Sequence, residues 1–142
     1  MANEYKLLSC ILPLKAGVDQ TGNLTTTAVD LPLFSGHNEF TANGLVMPVD
    51  GSVVGIVATR ETGHASIVVS AKVNVNGTAG ATAAFSVGVA AANLKVVARF
   101  DPNDYKLKEG DIIGIEIVSS DATGYAPNNV TVVALIQLGR SH

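Results

Sequence analysis

The sequence predicts an all-β protein, an antiparallel β-sandwich or barrel of about eight strands. Apolar residues recur at every second position in several segments, which is the pattern of a strand with one buried face. Turn-forming residues separate these segments at intervals of roughly ten residues, a spacing typical of sandwiches and barrels. No segment has a convincing helical pattern, and no motif repeats at the fixed period that a propeller or solenoid would show.

The clearest alternation lies in Tyr105–Leu138, which we predict to be two strands joined by a loop and to be the pair on which the rest of the chain folds. The apolar residues of one face are Ile113, Ile115 and Ile117 in the first strand and Val130, Val132, Ala134, Ile136 and Leu138 in the second. Glu109–Asp111 predicts a tight turn before the first strand. Asp121–Asn129 has the Asp, Gly, Pro and Asn content of a loop.

The N-terminal part predicts one strand that is apolar on both faces and a second that lies at a sheet edge or forms an arm. Tyr5–Leu14 is apolar on both faces and is closed by Pro13, which indicates a strand covered on two sides or used at an interface. Lys15–Asn23 is polar and is predicted to be a loop. Leu24–Phe34 is interpreted as an edge strand or an extended arm, because Pro32 would interrupt a central hydrogen-bond ladder.

The middle of the chain alternates strand and turn signals. Gly44–Val49 is a short apolar segment, and Asp50-Gly51 predicts a turn between it and a buried strand at Val53–Thr59. Ala65–Val75 alternates apolar and polar residues most cleanly of all. The dipeptide Asn76-Gly77 follows at once and predicts a hairpin turn.

An alanine-rich segment, Thr78–Ala92, is the one ambiguous place, because alanine favours helix. Its glycines oppose a helix, and Phe and Val alternate with smaller residues, so we predict a strand at Ala83–Ala90. Leu94–Phe100 predicts another strand, and Asp101–Asp104 predicts the turn that follows it.

Composition indicates a single domain that associates with other copies. The chain has 142 residues, enough for one domain with a real core. Charged residues make up 15%, well under the roughly 25% of an average domain, while hydrophobic residues reach 47%. So few charges leave apolar surface uncovered, which favours a homo-oligomer. The net charge of −3 disfavours a broad nucleic-acid surface.

The single cysteine and the terminal sequences predict a protein of a reducing compartment. Cys10 is the only cysteine and lies in the apolar run Leu7–Leu12, so we expect a buried, inert thiol. No secretory signal and no membrane-spanning segment is visible, so we expect synthesis in a reducing cytosol. The ending Gly139–His142 is interpreted as the remnant of a purification tag.

No constellation of residues predicts a reaction. His37 and His64 lie in different loops without a metal-binding motif, and we expect solvated or interface side chains. Asp101, Asn103 and Asp104 offer oxygen atoms to Ca²⁺, but the spacing is that of an ordinary turn. We therefore predict that the chain is not an enzyme and has no catalytic residue, no metal site and no cofactor.

Two features suggest contacts instead. Tyr125, in the Gly124–Pro127 loop, is the one candidate for an exposed aromatic contact with a glycan. Thr62–Phe100 contains basic residues and no acid, whereas Asp101–Asp121 is rich in acids. Basic and acidic regions of this kind would allow subunits to meet head to tail, although the faces of a solvated monomer also differ in charge.

The segment Asp50–Leu138 resembles a recurring type of small bacteriophage virion protein with a jelly-roll fold. The matching features are Asp50–Ile56 at a strand start, Ala65–Asn76 ending in Val75-Asn76-Gly77, Tyr105–Asp111 before Ile112–Val118, and Pro127 before a last Val/Thr-rich strand. The resemblance implies a capsid decoration, or cement, protein. The alternative that it leaves open is a receptor- or glycan-binding β-sandwich module of a phage tail fibre.

This resemblance implies a homo-oligomer, with a trimer favoured, that resides in the virion and has the major capsid protein as its partner. It implies no nucleic-acid or membrane partner. We expect residues 1–34 to form an N-terminal strand and extended arm, packed on or exchanged between subunits. Residues 35–138 would form the jelly-roll sandwich, and residues 139–142 would lie outside the fold.

Overall fold

The computed structural model describes residues 10–20, 26–27, 29–31, 44–60, 68–84, 94–120 and 128–139, and all regular structure in these ranges is β. The strands are β1 Cys10–Gln20, β2 Val29–Asp30, β3 Leu45–Val46, β4 Gly51–Arg60, β5 Val69–Val75, β6 Thr78–Ala84, β7 Leu94–Arg99, β8 Lys106–Leu107, β9 Ile112–Ser119 and β10 Asn128–Leu138. These ranges hold no helix that is long and apolar enough to cross a membrane.

The strands form two antiparallel sheets. The front sheet has the order β1-β10-β4-β7, and β8 pairs with β4. The back sheet has the order β2-β9-β5-β6, and β3 pairs with β9. Strands β7 and β8 pair with successive parts of the same side of β4, and β2 and β3 do the same along β9. The ten described strands therefore occupy eight positions, in agreement with the predicted number.

The pairing is nested, as in a long antiparallel ribbon folded over on itself. The first strand pairs with the last, β2 and β3 pair with β9, β4 pairs with β7 and β8, and β5 pairs with β6. The innermost turn is Asn76-Gly77, with φ values of 51° and 84°. Left-handed φ at both residues is what a two-residue hairpin turn requires, which confirms the predicted hairpin. A nested ribbon divided between two packed sheets is a jelly-roll β-sandwich.

The core lies between the sheets and contains the predicted alternating residues. Buried side chains from β9 are Ile113, Ile115 and Ile117, and those from β10 are Val130, Val132, Ala134 and Ile136. The two predicted strands are confirmed as β9 and β10, although they do not pair with each other. Strand β9 is central in the back sheet and β10 is central in the front sheet. The segment between them carries the chain from one sheet to the other.

Strand β1 departs from the prediction in length. It continues through Pro13 as far as Gln20, so the predicted loop at Lys15–Asn23 is wrong over its first six residues. The proline is tolerated because β1 is an edge strand, with β10 as its one partner among the described strands. Cys10 is exposed at the start of this strand, opposite Leu138, so the expectation of a buried thiol is wrong.

The predicted hairpin turn at Asp50-Gly51 is also wrong. Strand β3 lies in the back sheet, while Gly51 already begins β4 in the front sheet, so the chain changes sheets here. Glycine is needed at this position for a close approach, because a Cβ atom at Gly51 would collide with the carbonyl oxygen of Gln137 on β10. The prediction for Leu94–Phe100 is confirmed over β7, whose described residues alternate between half-buried and exposed. Most of the predicted strand at Ala83–Ala90 lies outside the described residues.

Candidate assembly surface

The outward face of the front sheet carries an apolar area. It carries Ile11, Pro13, Val57, Val97, Val133 and Leu135, which together we call the apolar sheet face. Val97 is 58% exposed and Ile11 is 47% exposed, while the residues from the central strands are half-buried by their neighbours. The outward positions of a sheet that faces water usually carry polar residues, so this face is unusual for a solvated sheet.

Strand register brings these residues together. One row contains Lys15, Val133, Val57 and Val97 on β1, β10, β4 and β7. The next row contains Pro13, Leu135, Gly55 and Arg99 on the same strands. Cβ atoms of directly opposite residues in antiparallel strands are about 5 Å apart. The apolar side chains of the two rows therefore form one continuous surface.

Gly55 smooths the centre of this surface. A Cβ atom at Gly55 would lie 3.2 Å from Leu135 Cδ1 and 3.1 Å from the carbonyl oxygen of Ala98, both tighter than an ordinary contact. Because glycine has no side chain, Leu135 lies over the backbone of β4, and Gly55 is buried although it points outward. The result is a flat apolar area without a projecting side chain at its middle.

Basic residues surround the apolar sheet face. Lys15 lies beside it on β1, and Lys95 and Arg99 lie on β7 on either side of Val97. All three are exposed. The sequence predicted a basic region from Lys72, Lys95 and Arg99, but Lys72 lies in the back sheet and is not part of it.

The outward face of the back sheet is different in character. Lys72 on β5 lies directly opposite Glu116 on β9. Glu116 also accepts a hydrogen bond at Oε2 from Asn74 Nδ2 at 3.2 Å. Polar residues at Ser70 and Thr82 continue this face on β5 and β6. This part of the back sheet is a polar surface suited to water, in contrast to the apolar sheet face.

A second, smaller apolar patch lies at one end of the sandwich. Val46 on β3 pairs directly with Ile112 on β9, and the two side chains are 57% and 48% exposed. Val49 is exposed in the turn that follows β3. We call these three residues the Val46–Ile112 patch. Carboxylates at Asp50, Glu109 and Asp111 lie close to these residues in the chain, and the ammonium group of Lys108 directly precedes Glu109.

Hydrogen bonds from distant parts of the chain hold this end together. The backbone N–H of Glu109 donates to Asp50 Oδ1 at 2.9 Å, and the N–H of Gly110 donates to the carbonyl oxygen of Met47 at 2.9 Å. The N–H of Gly139 donates to the carbonyl oxygen of Asp50 at 2.7 Å, so the backbone of Gly139 takes part in the fold. These bonds fix the loop after β3, the turn before β9 and the end of β10 relative to one another.

Asp111 is the most heavily bonded carboxylate at this end. Its Oδ2 accepts the backbone N–H of Lys108 at 2.8 Å and its Oδ1 accepts Asn76 Nδ2 at 2.9 Å. These bonds, first that from Lys108 and then that from Asn76, lower the pKa of Asp111 below its ordinary value. Gly110 has a φ of 87° and the N–H of Asp111 donates to the carbonyl of Lys108, which confirms the predicted tight turn.

The predicted turn at Asp101–Asp104 is confirmed. Asp101 Oδ1 accepts the backbone N–H of Asn103 at 2.8 Å and its Nδ2 at 3.0 Å. The N–H of Asp104 donates to the carbonyl oxygen of Asp101 at 3.0 Å. The carboxylate thus serves as a turn-forming group. Within the described ranges, no group of three or more His, Cys, Asp or Glu residues is placed to hold a metal ion.

The other residues singled out from the sequence, Tyr125, His37 and His64, lie outside the described residues, so the predicted loop contact stays a prediction. Arg60 was missed, although it is 1% exposed in the core at the end of β4. The alternation of Ile56, Ala58 and Arg60 on the inward side of the strand would have identified it.

One described cavity, of about 230 Å³, opens between the sheets beside β8. It is lined mainly by aliphatic and small residues, among them Val53, Val75 and Leu107. Tyr105, at its wall, packs edge-on against Phe100 with ring centroids 5.0 Å apart. Asp104 and Lys106 also line the cavity, and both are exposed residues. The outer faces of the sandwich, with their exposed apolar side chains, are the better candidate for function.

No protein-family model matches the sequence, and no curated protein matches it. Among solved structures, a chain of the capsid asymmetric unit of cyanophage Pam1 is similar, with a TM-score of 0.51 and 16% identity over 92% of this chain and 86% of that one. A chain from infectious bursal disease virus strain Gx has a TM-score of 0.45 and 17% identity, over 94% of this chain and 33% of the viral one.

An exo-β-1,3-galactanase from Phanerochaete chrysosporium is similar at a TM-score of 0.43 and 12% identity, and the chain covers 27% of that enzyme. At these identities the likeness concerns the fold alone. The chain is thus an antiparallel jelly-roll β-sandwich, with the fold of a cyanophage capsid chain over nearly the whole length of both.

Proposed function

We propose that the chain is a structural virion protein of a bacteriophage, which decorates and stabilises the capsid as a homo-oligomer. A trimer is the favoured assembly, and the major capsid protein is the partner on the shell. The observation that carries this proposal is the apolar sheet face, which a solitary soluble domain would leave in contact with water.

Two further observations support the proposal. The similar cyanophage chain is itself part of a capsid, and its length is nearly that of the present sandwich, so a single jelly roll of this size serves in a viral shell. Among the described residues, no group of three or more potential metal ligands lies together. Contact with other proteins is therefore the activity that this surface fits best.

We also propose that residues 1–34 act as an N-terminal strand and arm that packs on, or is exchanged with, a neighbouring subunit. Strand β1 supports this, because it pairs with β10 on one side while its other side has no partner strand among the described residues. An edge strand of this length exposes backbone groups that another chain can pair with.

The test uses virions of the phage whose genome encodes the chain. Mass spectrometry of purified virions is expected to detect the protein, and deletion of its gene is expected to give particles that release their DNA at lower temperature. Adding purified protein to the deleted particles should restore their stability, because a decorating protein binds a shell that is already assembled. Absence from the virion contradicts a structural role, and failure to bind finished particles contradicts decoration.

A further inference from the structure

We infer that the apolar sheet face of one subunit docks on the Val46–Ile112 patch of a second copy of the chain. The inference rests on the proposed function, since it names the surfaces through which the homo-oligomer forms. Both surfaces expose large aliphatic side chains, Val97 and Ile11 on the first and Val46, Val49 and Ile112 on the second. Each area is too apolar to be a typical solvated surface.

The charges around the two surfaces are opposite. Lys15, Lys95 and Arg99 surround the apolar sheet face. Asp50, Glu109 and Asp111 accompany the Val46–Ile112 patch, and Lys108 is the one described cation among them. Complementary charges at the rim of an interface direct the encounter and exclude wrong pairings, while the apolar centre supplies the affinity.

The same charges argue against a contact between two identical surfaces. Two apolar sheet faces placed together would bring six cations to one interface, and like charges facing each other are unfavourable. A contact between two different surfaces is heterologous, and it forms a closed ring when the rotation between successive subunits divides a full turn, or an open filament when it does not. A small closed ring, including the proposed trimer, is the expected product.

The Val46–Ile112 patch is also rigid. Asp50 bonds the backbone of Glu109, Asp111 bonds the backbone of Lys108, and Asn76 joins this turn to the β5–β6 hairpin. A surface that is already held in place loses little conformational entropy when it binds, so more of the contact energy appears as affinity. The apolar sheet face is part of a four-stranded ladder and has the same advantage.

The experiment is a charge swap followed by light scattering coupled to size-exclusion chromatography at micromolar concentration. The variant Lys95→Glu/Arg99→Glu makes the sheet face acidic, and Glu109→Lys makes the patch more basic. Each is expected to shift the mass from the oligomer to a 14.6 kDa monomer. In the triple variant the patch is neutral in sum, because Asp50 and Asp111 are balanced by Lys108 and the introduced lysine. It therefore no longer repels the acidic sheet face, and the triple variant is expected to recover oligomer that the Lys95→Glu/Arg99→Glu variant has lost.

A second pair of variants tests the apolar part of the contact. Val97 is the most exposed large aliphatic residue of the apolar sheet face. Val97→Asp places a charge there and is expected to abolish the oligomer. Thr82→Asp places the same charge on an exposed strand position of the back sheet and should leave the mass unchanged. Circular dichroism melting identifies any variant that has lost its fold. The masses of the two variants are compared at a temperature at which both are folded.

The outcomes separate the inference from the proposed function. If the wild type is an oligomer and the charge-swap variants and Val97→Asp are oligomers of the same mass, the inference is overturned, while self-assembly still holds. If the face variant and the patch variant each dissociate and the triple variant is also a monomer, the head-to-tail pairing is overturned. A wild-type chain that is monomeric throughout overturns the inference together with the homo-oligomer, whereas binding of that monomer to capsids would still support a virion role.

Discussion

Asn76 Nδ2 donates to Asp111 Oδ1 at 2.9 Å, while Asn76 Oδ1 accepts the backbone N–H of Ile112 at 2.9 Å. The backbone N–H of Asn76 also donates to the carbonyl oxygen of Ile112 at 2.8 Å. One side chain therefore joins the innermost hairpin turn to the start of the central strand of the back sheet. Asn76 is suited to both tasks, because asparagine tolerates its φ of 51° better than most residues.

Replacing Asn76 with glycine and with alanine separates these two roles. Asn76→Gly keeps a permissive backbone and loses both side-chain bonds, so the free energy of unfolding should fall by about 1 kcal/mol. Asn76→Ala also places alanine at a left-handed φ, so the free energy of unfolding should fall by a further amount of about 1–2 kcal/mol. Urea unfolding measures both. A glycine variant as stable as the wild type would show that the side-chain bonds do not stabilise the fold.

The lowered pKa of Asp111 predicts a dependence of stability on pH. Its folded-state pKa lies below the ordinary value of 3.8, so the unfolded chain binds more protons in this range. The stabilisation is present above the ordinary pKa and is lost as the pH falls through the folded-state pKa. Urea midpoints of the wild type and Asp111→Asn should therefore differ at neutral pH and converge in acid. A difference that stays constant over the same pH range contradicts the assignment.

Gly77 and Gly114 form a matched pair for testing backbone strain. An added Cβ atom would meet nothing within 4 Å at either position, but Gly77 has a φ of 84°, whereas the φ of Gly114 is not in the left-handed region. Gly77→Ala should lower the free energy of unfolding by about 1–2 kcal/mol. Gly114→Ala should have little effect or stabilise slightly, because alanine restricts the unfolded chain. Equal losses at both sites would indicate packing and not backbone conformation.

Ile115 and Ile112 lie on the same strand and differ in burial. Ile115 is 1% exposed in the core, so Ile115→Ala should reduce the free energy of unfolding by about 2–5 kcal/mol. Ile112 points outward, and Ile112→Ala should change the stability of the subunit by less than about 0.5 kcal/mol. Guanidinium unfolding of dilute protein measures both without a contribution from assembly. The same Ile112 variant is expected to weaken the oligomer.

The proposed loop contact has its own test. If Tyr125 is an aromatic platform for a sugar ring, a glycan array should show binding by the wild type and loss of that binding in Tyr125→Ala. Binding that is indifferent to this change removes the residue from the proposal, and an empty array removes the glycan-binding alternative altogether.

The strand faces were predictable from the sequence because alternation is a local property. Ile113, Ile115 and Ile117 fall on one side of an extended chain whatever its partner, and all three are buried. The Asn76-Gly77 turn was predictable for the same reason, since its two φ angles depend on these residues themselves. Alternation and turn spacing predicted the sandwich or barrel, and the resemblance to jelly-roll proteins specified which of these folds it is.

The candidate surface was predictable only in outline. Low charge and an apolar first strand indicated association, but the basic region inferred from the sequence mixed residues of two faces. Lys72 turned out to lie opposite Glu116 in the back sheet, whereas Lys95 and Arg99 lie on the front sheet with Lys15. Spacing along the chain does not show which sheet a strand joins, so charges from separate faces appear as one segment.

The sequence by itself determined which residues of each strand share a face and where the central hairpin turns, because both depend on neighbours within a few positions. The tertiary structure decided that β9 and β10 lie in opposite sheets, that β1 extends to Gln20, and that Val57, Val97, Val133 and Leu135 meet on one outer face. These properties depend on hydrogen-bond register between strands far apart in the chain. Only the balance of contacts over the whole fold selects that register.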